Sequence, residues 1–379
     1  MSFIFKNKKI LIISQQPWGE VKISKHHYAL ELLCMGNQVF FLNPPDPLLS
    51  RPVEVKPSPE GIHLVSYRPC FPFVIRFHAR PLFDFLMRWQ IKKILKEIGV
   101  QLDVVWCFEF NLFTDLSLFG APVKIYHPVD PLSAPYQIAP ALSATIVFAV
   151  SQDILDSFKK IPTPHHVINH GLSSAFVEPP LVPDFTQKLS SIKVGYVGNL
   201  SRSNVDLPLF RQLISDYPQV EFHIIGPMAS KSNLGGEGSG ETVAFLEFIN
   251  SSPNVICHGQ KPPSEVARII RDMDAFLLCY QKVPGIYDLS NSHKILEYLS
   301  TGKTVVSSRI STYEGRDLLV MGEPEEMKEL FRKVMNDLPF YNSAGNQKRR
   351  MAFALENTYR KQIERVEAYL TDLHVEARP

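Results

Sequence analysis

The sequence predicts an α/β protein of two domains, each a mostly parallel sheet flanked by helices, the two facing each other across a cleft. Three observations predict it. Short apolar, branched runs alternate with helical stretches along the chain, the pattern of βαβ units. The alternation lapses at 172–191, where Pro179, Pro180 and Pro183 fall in a stretch of no clear period. A length of 379 residues is enough for two cores of ordinary size. The expected partition is a first domain over 1–171, a linker over 172–191, a second domain over 192–340 and terminal helices over 341–379.

In the first domain, Lys9 to Ser14 reads as a buried strand, followed by the loop Gln15-Gln16-Pro17-Trp18-Gly19. A helix from about Ser24 to Met35 stops at Gly36, and Gln38 to Leu42 is the second strand. Pro44 to Pro59 is Pro-rich and reads as irregular, and Gly61 to Tyr67 as a strand. Further strands are expected at Leu102 to Phe108, Val123 to Tyr126 and Ala144 to Val150. A helix over Ser151 to Lys160, capped by Ser151, follows the last of these.

One stretch of this domain stands apart. Between Arg68 and Lys96, Phe71, Phe73, Phe77, Phe83, Phe85 and Trp89 interleave with Arg68, Arg76, Arg80, Arg88, Lys92, Lys93 and Lys96, and the second half reads as an amphipathic helix. Two readings stay open. The aromatics pack on the domain beneath a solvated basic face, or 68–96 makes a peripheral contact with an anionic membrane.

The second domain opens with Ile192 to Val197, a strand running into Gly198-Asn199-Leu200-Ser201-Arg202, with a helix from about Val205. Gly198 lets a backbone come close to phosphate, and Arg202 can clamp a diphosphate with both arms of its fork. Val220 to Ile225 and Asn254 to His258, ending at Gly259, are strands. Gly235-Gly236-Glu237-Gly238-Ser239-Gly240 lacks the Gly-Lys-Ser/Thr ending of a phosphate loop and reads as a surface loop. Asp272-Met273-Asp274 enters the strand Ala275 to Tyr280 at its amino end, the wrong end for a ligand, so no metal is expected there; Tyr280 lies at the right end. Helices are expected at Glu323 to Met335 and Tyr341 to Leu373.

The most informative stretch is Ser290-Asn291-Ser292-His293-Lys294-Ile295-Leu296-Glu297-Tyr298-Leu299. It reads as a polar helix start, then a short helix that Gly302 ends in a left-handed turn. Ser290, Asn291 or Ser292 can cap it. First-turn amides, the positive end of the dipole and Lys294 together attract an anion. Glu297, on the face shared with Lys294, can accept from vicinal hydroxyls. Phosphate at the tip and sugar one turn in describe a nucleoside diphosphate. An ordinary helix with a surface Lys–Glu pair would show the same two residues. The long polar loop before it and its late place in a βαβ domain favour the ligand.

Lys294-Ile295-Leu296-Glu297-Tyr298-Leu299-Ser300-Thr301-Gly302-Lys303-Thr304-Val305-Val306 resembles the Lys-x-x-Glu-Tyr-Leu-Ala-x-Gly-x-Pro-Val-Val signature of GT-B glycosyltransferases, which have two Rossmann-like domains. The likeness is to the retaining family-four enzymes, in particular those of cell-surface polysaccharide assembly. Thr304 stands where the signature has Pro, and Leu289 where many members carry a second Glu. The resemblance implies a UDP- or GDP-sugar donor on the second domain, with Glu297 on the ribose and Lys294 and Arg202 on the diphosphate. Gly198, Asn199, Ser201, Gly259, Tyr280 and the helix-start residues Ser290, Asn291, Ser292 and His293 then line the donor site. It places the loop after the first strand on the acceptor side, with Trp18, Gly19 and His26 or His27. Tyr126-His127-Pro128-Val129-Asp130 resembles an acceptor-side Tyr-x-x-x-Asp loop and makes Asp130 the fallback carboxylate; an Asx turn between Pro128 and Pro131 is the other reading of Asp130. The last helix is expected to return to the first domain.

Composition bounds the rest. Hydrophobic residues make up 45% and charged residues 21%, a globular balance, and a net charge of +2 leaves no global nucleic-acid footprint. Five scattered cysteines without a Cys-x-x-Cys suggest neither a zinc site nor a disulfide framework, which fits reducing cytoplasm. No apolar run reaches the length of a membrane span, and Ile10-Leu11-Ile12-Ile13 is too short for a signal core. The expected protein is cytoplasmic, with the inner face of the membrane open to it through 68–96. The expected activity is transfer of a sugar from a nucleotide sugar to a glycan or lipid-linked acceptor, with retention and without metal or other cofactor. An epimerase or hydrolase of the same fold, or a non-catalytic nucleotide-sugar-binding subunit, are the alternatives.

Overall fold

The computed structural model describes residues 3–19, 22–178, 191–202, 204–227, 240–281 and 294–376. The chain forms two units, Met1–Gly171 with Tyr359–Pro379, and Leu172–Thr358.

The strands of the first unit are β1 (Lys9–Ile13), β2 (Gln38–Leu42), β3 (Val53–Pro57), β4 (His63–Tyr67), β5 (Val104–Cys107), β6 (Val123–Tyr126), β7 (Ile146–Ala149) and β8 (His165–Val167). Its helices are α1 (Ser24–Cys34), α2 (Arg80–Ile98), α3 (Ala139–Ser143) and α4 (Gln152–Asp156). The sheet order is β3-β4-β2-β1-β5-β6-β7-β8, parallel except for the β3–β4 pair. The central strands are buried from Ile10 in β1 and throughout β5 and β7, because helices cover both faces. Leu11, Ile13 and Phe40 pack with Phe83, Met87, Ile91 and Ile94 of α2. Ile10, Ile12, Val39 and Phe41 pack on the other side with Tyr28, Ala29 and Leu32 of α1.

In the second unit the strands are β9 (Ile192–Val197), β10 (Val220–Ile225), β11 (Val255–Gly259), β12 (Ala275–Leu278), β13 (Thr304–Ser308) and β14 (Val320–Gly322). The helices are α5 (Leu207–Asp216), α6 (Gly240–Ser251), α7 (Pro263–Arg271), α8 (Lys294–Ser300), α9 (Met327–Asn336), α10 (Leu338–Tyr341) and α11 (Ala344–Leu355). All strand pairs are parallel, in the order β11-β10-β9-β12-β13-β14. The chain winds outward one way from β9 and then the other way from β12, so the topological switch lies between those two strands.

The final helix, α12 (Tyr359–Glu376), belongs to the first unit, where Tyr359, Ile363, Val366 and Leu370 are buried beside Tyr28, Trp106 and Phe148. Gly171 makes this docking possible. A Cβ there would lie 2.4 Å from the Tyr359 ring, closer than any real contact. The Gln362 side-chain amide also donates to the His170 carbonyl at 3.1 Å.

Four expectations are corrected. Residues 44–59 are not wholly irregular: β3 pairs with β4 as an edge strand, where Pro52 precedes it and Pro57 ends it without cost to a ladder. The helix after Ser151 covers only Gln152–Asp156, with the Ser151 hydroxyl accepting from the Ile154 amide at 3.4 Å. The helix expected to start near Val205 begins at Leu207, capped by Asp206, whose carboxylate accepts from the Leu209 amide at 3.0 Å. The terminal helices expected over 341–379 do not return together to the first domain: α11 stays in the second unit, and only the helix after it joins the first. Asn342 anchors that unit's end: its side-chain oxygen accepts from both the Thr304 amide and the Thr304 hydroxyl at 2.8 Å, and its amide donates to the Asp274 carbonyl at 2.7 Å. Arg350, buried nearby, donates to the Leu318 and Gly302 carbonyls. Proline, which has neither an amide hydrogen nor a hydroxyl, would forfeit both Thr304 bonds, so Asn342 accounts for the Thr304 departure.

Candidate functional site

The second unit brings its predicted residues to the carboxyl ends of the two strands at the switch. β9 ends at Val197, and the chain turns at Gly198, whose amide donates to the Ile225 carbonyl at 2.9 Å. Asn199 holds the turn through its side-chain oxygen, which accepts from the Ser201 amide at 2.9 Å. Residues 204–206 then run antiparallel to 279–281: Asp206 donates to the Cys279 carbonyl and Gln281 to that of Asn204, both at 3.0 Å, with a Val205–Tyr280 bridge between. The loop carrying Arg202 is thereby laced to the segment carrying Tyr280. Arg202 is exposed.

Three glycines close the neighbouring strand ends. The Gly226 amide donates to the Gly259 carbonyl at 2.9 Å, and a Cβ on Gly226 would lie 1.9 Å from the Gly198 carbonyl oxygen. Gly226 also has φ of +153°. The backbones of β9 and β10 therefore meet at a distance that only glycine permits.

α8 reaches the same place through Tyr298. Its hydroxyl accepts from the Val197 amide at 2.7 Å and contacts the Val197 carbonyl at 3.3 Å, while its ring stacks on Phe276 at 4.1 Å. Glu297 precedes it and is partly exposed. Desolvation pushes the Glu297 carboxyl up from the usual carboxylate range, and Lys294 one turn earlier opposes that rise. Tyr196 feels the charges of Tyr280 and Arg202, and Tyr298 feels those of Tyr196, Tyr280 and Glu297. Lys294, Glu297, Arg202, Gly198, Asn199, Ser201 and Tyr280 thus share one end of one sheet. Gly259 caps β11 two strands away with φ of +68°. Ser290, Asn291, Ser292 and His293 lie outside the described residues, as do Leu289, 179–190 of the linker and 235–239 of the Gly-rich loop. Asp274 sits at the amino end of β12, where its carboxylate accepts from the Lys193 amide at 2.9 Å.

On the first unit the predicted residues separate. Asp130 is exposed after β6. Gly19 is exposed too, and a Cβ there would meet only the Pro17 oxygen at 4.0 Å, so space does not require glycine. His26 and His127 are corrected to interior residues, each 1% exposed. His26 accepts from the Ile23 amide at Nδ1, at 3.1 Å, which leaves Nε2–H to donate to the Pro17 carbonyl at 3.1 Å. Both nitrogens of a neutral ring are then used, and burial lowers its pKa to about 4. The ring locks the Pro17–Gly19 loop to α1. Trp18 packs on His26 and Phe41, with Lys22 Nζ 3.9 Å from its ring centre. His127 accepts from the Trp106 indole at 3.3 Å and stacks with Trp106 and Phe108, and burial lowers it to about 3.

These shifts predict acid lability with a definite sign. Folded His26 and His127 resist protonation below the ordinary value of 6.5, so the unfolded chain takes up the protons first. Stability is lost as pH falls from about 6.5 towards about 3, by on the order of 2 kcal/mol per histidine at pH 4.5. Denaturant titrations at pH 7 and 4.5 measure this. His127→Phe should be the less stable protein at pH 7, where it orphans the Trp106 N–H, yet lose less on acidification. Parallel loss in both proteins would contradict the assignment.

Sequence reasoning passed over Lys25. It is 1% exposed in the first turn of α1, and burial lowers its ammonium to about 8 against the pull of Asp130 and Glu109. The Glu109 carboxylate caps the turn after β5, accepting from the Asn111 and Leu112 amides at 2.7 Å. Lys25, Glu109 and Asp130 make a charged group at the carboxyl ends of β5 and β6. The signal was available: Lys25, Ala29 and Leu32 recur at i, i+4 and i+7 on the stripe that faces the core. A cavity of about 180 Å³ lies elsewhere in this unit, between α2 and residues 112–118. It is smaller than a nucleotide-sugar site requires.

Comparison with known proteins follows this division. Residues 191–337 match the profile of the family described as glycosyl transferases group 1. No curated protein matches the chain significantly. Among solved structures, sucrose-phosphate synthase from Thermosynechococcus elongatus has a TM-score of 0.66 at 11% identity, over 98% of this chain and 100% of that one. The structure of trehalose-6-phosphate from E. coli bound with UDP-2-fluoro glucose gives 0.65 at 12%, over 96% and 98%. Anabaena HepE in complex with UDP and glucose gives 0.64 at 16%, over 96% and 99%. At these identities the likeness is one of fold.

Proposed function

We propose, from the match of residues 191–337 to the glycosyl transferases group 1 profile, that this protein transfers a sugar from a nucleoside diphosphate sugar to a glycan or lipid-linked acceptor, with retention at the anomeric carbon. The observation that carries this reading is the convergence at the β9–β12 switch. The laced loop brings Arg202, and α8 brings Lys294 and Glu297, to the strand ends where a dinucleotide-type fold takes its ligand. Glu297 accepts from the ribose hydroxyls. Lys294 and Arg202 hold the diphosphate and stabilise the negative charge it gains as the glycosidic bond breaks. The departing phosphate oxygen takes the acceptor proton, and no metal is needed for that step. UDP is the first nucleotide to try, since two neighbours were solved with UDP or a UDP-sugar. The acceptor engages the first unit, where Asp130 offers an exposed carboxylate, and the protein works at the cytoplasmic side of a membrane.

The test is incubation with radiolabelled UDP- and GDP-sugars, with and without lipid-linked and glycan acceptors. Acceptor-dependent transfer with release of nucleoside diphosphate is expected. Conversion of the sugar nucleotide without acceptor would make the protein an epimerase or hydrolase. Binding with no turnover on any acceptor would make it a nucleotide-sugar-binding subunit.

A further inference from the structure

The aromatic and basic residues of 68–96 sort onto two sides. Phe83 is fully buried, and Phe71 and Phe73 close on its ring at 5.5 and 5.3 Å. These three complete the core under α2. The others face outward: Val74, Phe77, Leu82, Phe85 and Trp89 are 56%, 67%, 49%, 54% and 55% exposed. Large apolar side chains this open, in one short stretch, are unusual on a protein surface.

The helix explains the sorting. Phe83, Met87, Gln90, Ile91, Ile94 and Ile98 form the buried stripe of α2. On the opposite side Leu82, Phe85, Trp89, Lys92, Lys93 and Lys96, with Arg88 at the edge, fall within an arc of roughly 140° at helical spacing. No acidic residue lies within it. Asp84, at the flank, is paired with Arg80 at 3.0 Å, and Arg80 turns inward to the Asn111 carbonyl. Glu97 lies on the other flank. Among the described residues, Arg88, Lys92, Lys93 and Lys96 take part in no ion pair. Arg76 adds a cation over the exposed Phe77 ring, 4.6 Å from its centre.

We propose that this outer face of α2, with Val74 and Phe77 beside it, is a membrane-docking surface that takes anionic phospholipid. Aromatic rings inserted at headgroup depth supply apolar burial, and unneutralised cations around them supply attraction to lipid phosphate. A protein partner would need acids to complement the same cations. Lipid phosphate supplies that charge without a specific sequence. The surface is separate from the donor residues, so its test does not depend on the transfer reaction.

The experiment uses the full chain and sedimentation with vesicles of phosphatidylcholine alone, or phosphatidylcholine mixed with phosphatidylglycerol, together with tryptophan fluorescence. Trp106 is buried in the core and Trp18 is half-buried against His26 and Phe41, so a lipid-dependent blue shift is assigned to Trp89 by its loss in Trp89→Phe. Binding to the mixed vesicles is expected, weakening with salt, with little binding to phosphatidylcholine alone. Lys92→Glu with Lys96→Glu should weaken it at least roughly 25-fold. Phe85→Ser with Trp89→Ser should abolish it, while Trp89→Phe keeps the binding and loses the blue shift. Thermal stabilisation by nucleoside diphosphate should be the same in all variants, which separates failure here from failure of the donor site. No binding by the parent chain, equal binding to both vesicles, or unchanged binding in the charge-reversed variant would overturn the proposal. So would a dimer in solution that Phe85→Ser with Trp89→Ser dissociates, since a second copy would then cover the face.

Discussion

Glu297→Ala should raise the KM for the nucleotide sugar by about 10- to 100-fold with a much smaller change in kcat. Hydrogen bonds from ribose hydroxyls to a carboxylate are made equally in the ground and transition states, so their loss reads as binding. Lys294→Met should do the reverse and lower kcat by roughly 10²- to 10³-fold, because the diphosphate gains charge only as the bond breaks. The two residues are also coupled. Desolvation pushes the Glu297 carboxyl up and Lys294 holds it down, so removing the cation raises it further. The acid limb of kcat/KM in Lys294→Met should therefore move to higher pH. Folding should survive both changes, since both side chains are partly exposed and the helix is held by buried Ile295, Leu296, Tyr298 and Leu299. Initial rates over a donor and pH series, beside far-ultraviolet circular dichroism, measure all of this. Near-parental kinetics in both variants would remove the donor-site assignment.

Gly226→Ala should be the most damaging single-methyl change in the second unit. The new Cβ would start 1.9 Å from the Gly198 carbonyl oxygen, and neither atom belongs to a flexible side chain. The φ of +153° adds backbone strain. Separating β9 from β10 at their carboxyl ends should cost roughly 3–5 kcal/mol and displace the loop that carries Arg202. A lowered melting transition and lost stabilisation by nucleoside diphosphate are the expected readouts. Gly345→Ala is the control, because a Cβ there meets nothing within 4 Å and alanine favours the α11 helix. Equal melting of the two variants would mean that the close approach is not rigid.

These two results rest on different kinds of information. Glu297 and Lys294 were legible because their spacing, the Gly302 stop and the following apolar strand are all local features, and Gly302 does adopt φ of +77°. The significance of Gly226 was not legible, since nothing nearby in the chain says that Gly198 lies against it. The same holds for Thr304, whose partner Asn342 is 38 residues away. The first-unit histidines show the opposite error. A His after a strand end, like His127, or near a helix start, like His26, suggests a ligand, but the Trp106, Phe108 and Phe41 rings that enclose them come from other elements.

The sequence alone determined several strands with their bounds: β2, β6 and β10 run over Gln38–Leu42, Val123–Tyr126 and Val220–Ile225 as their apolar runs indicate. It also determined two parallel sheets and the chemistry available at α8. Backbone preference and side-chain period act over a few residues, so they can be read from a single line of text. Only the tertiary structure decided the strand order that puts the switch between β9 and β12, the burial of Lys25 beside Asp130 and Glu109, and which aromatics of 68–96 face outward. Each of those depends on which distant segment supplies the neighbouring surface, and packing between segments far apart in the chain leaves no local periodic trace.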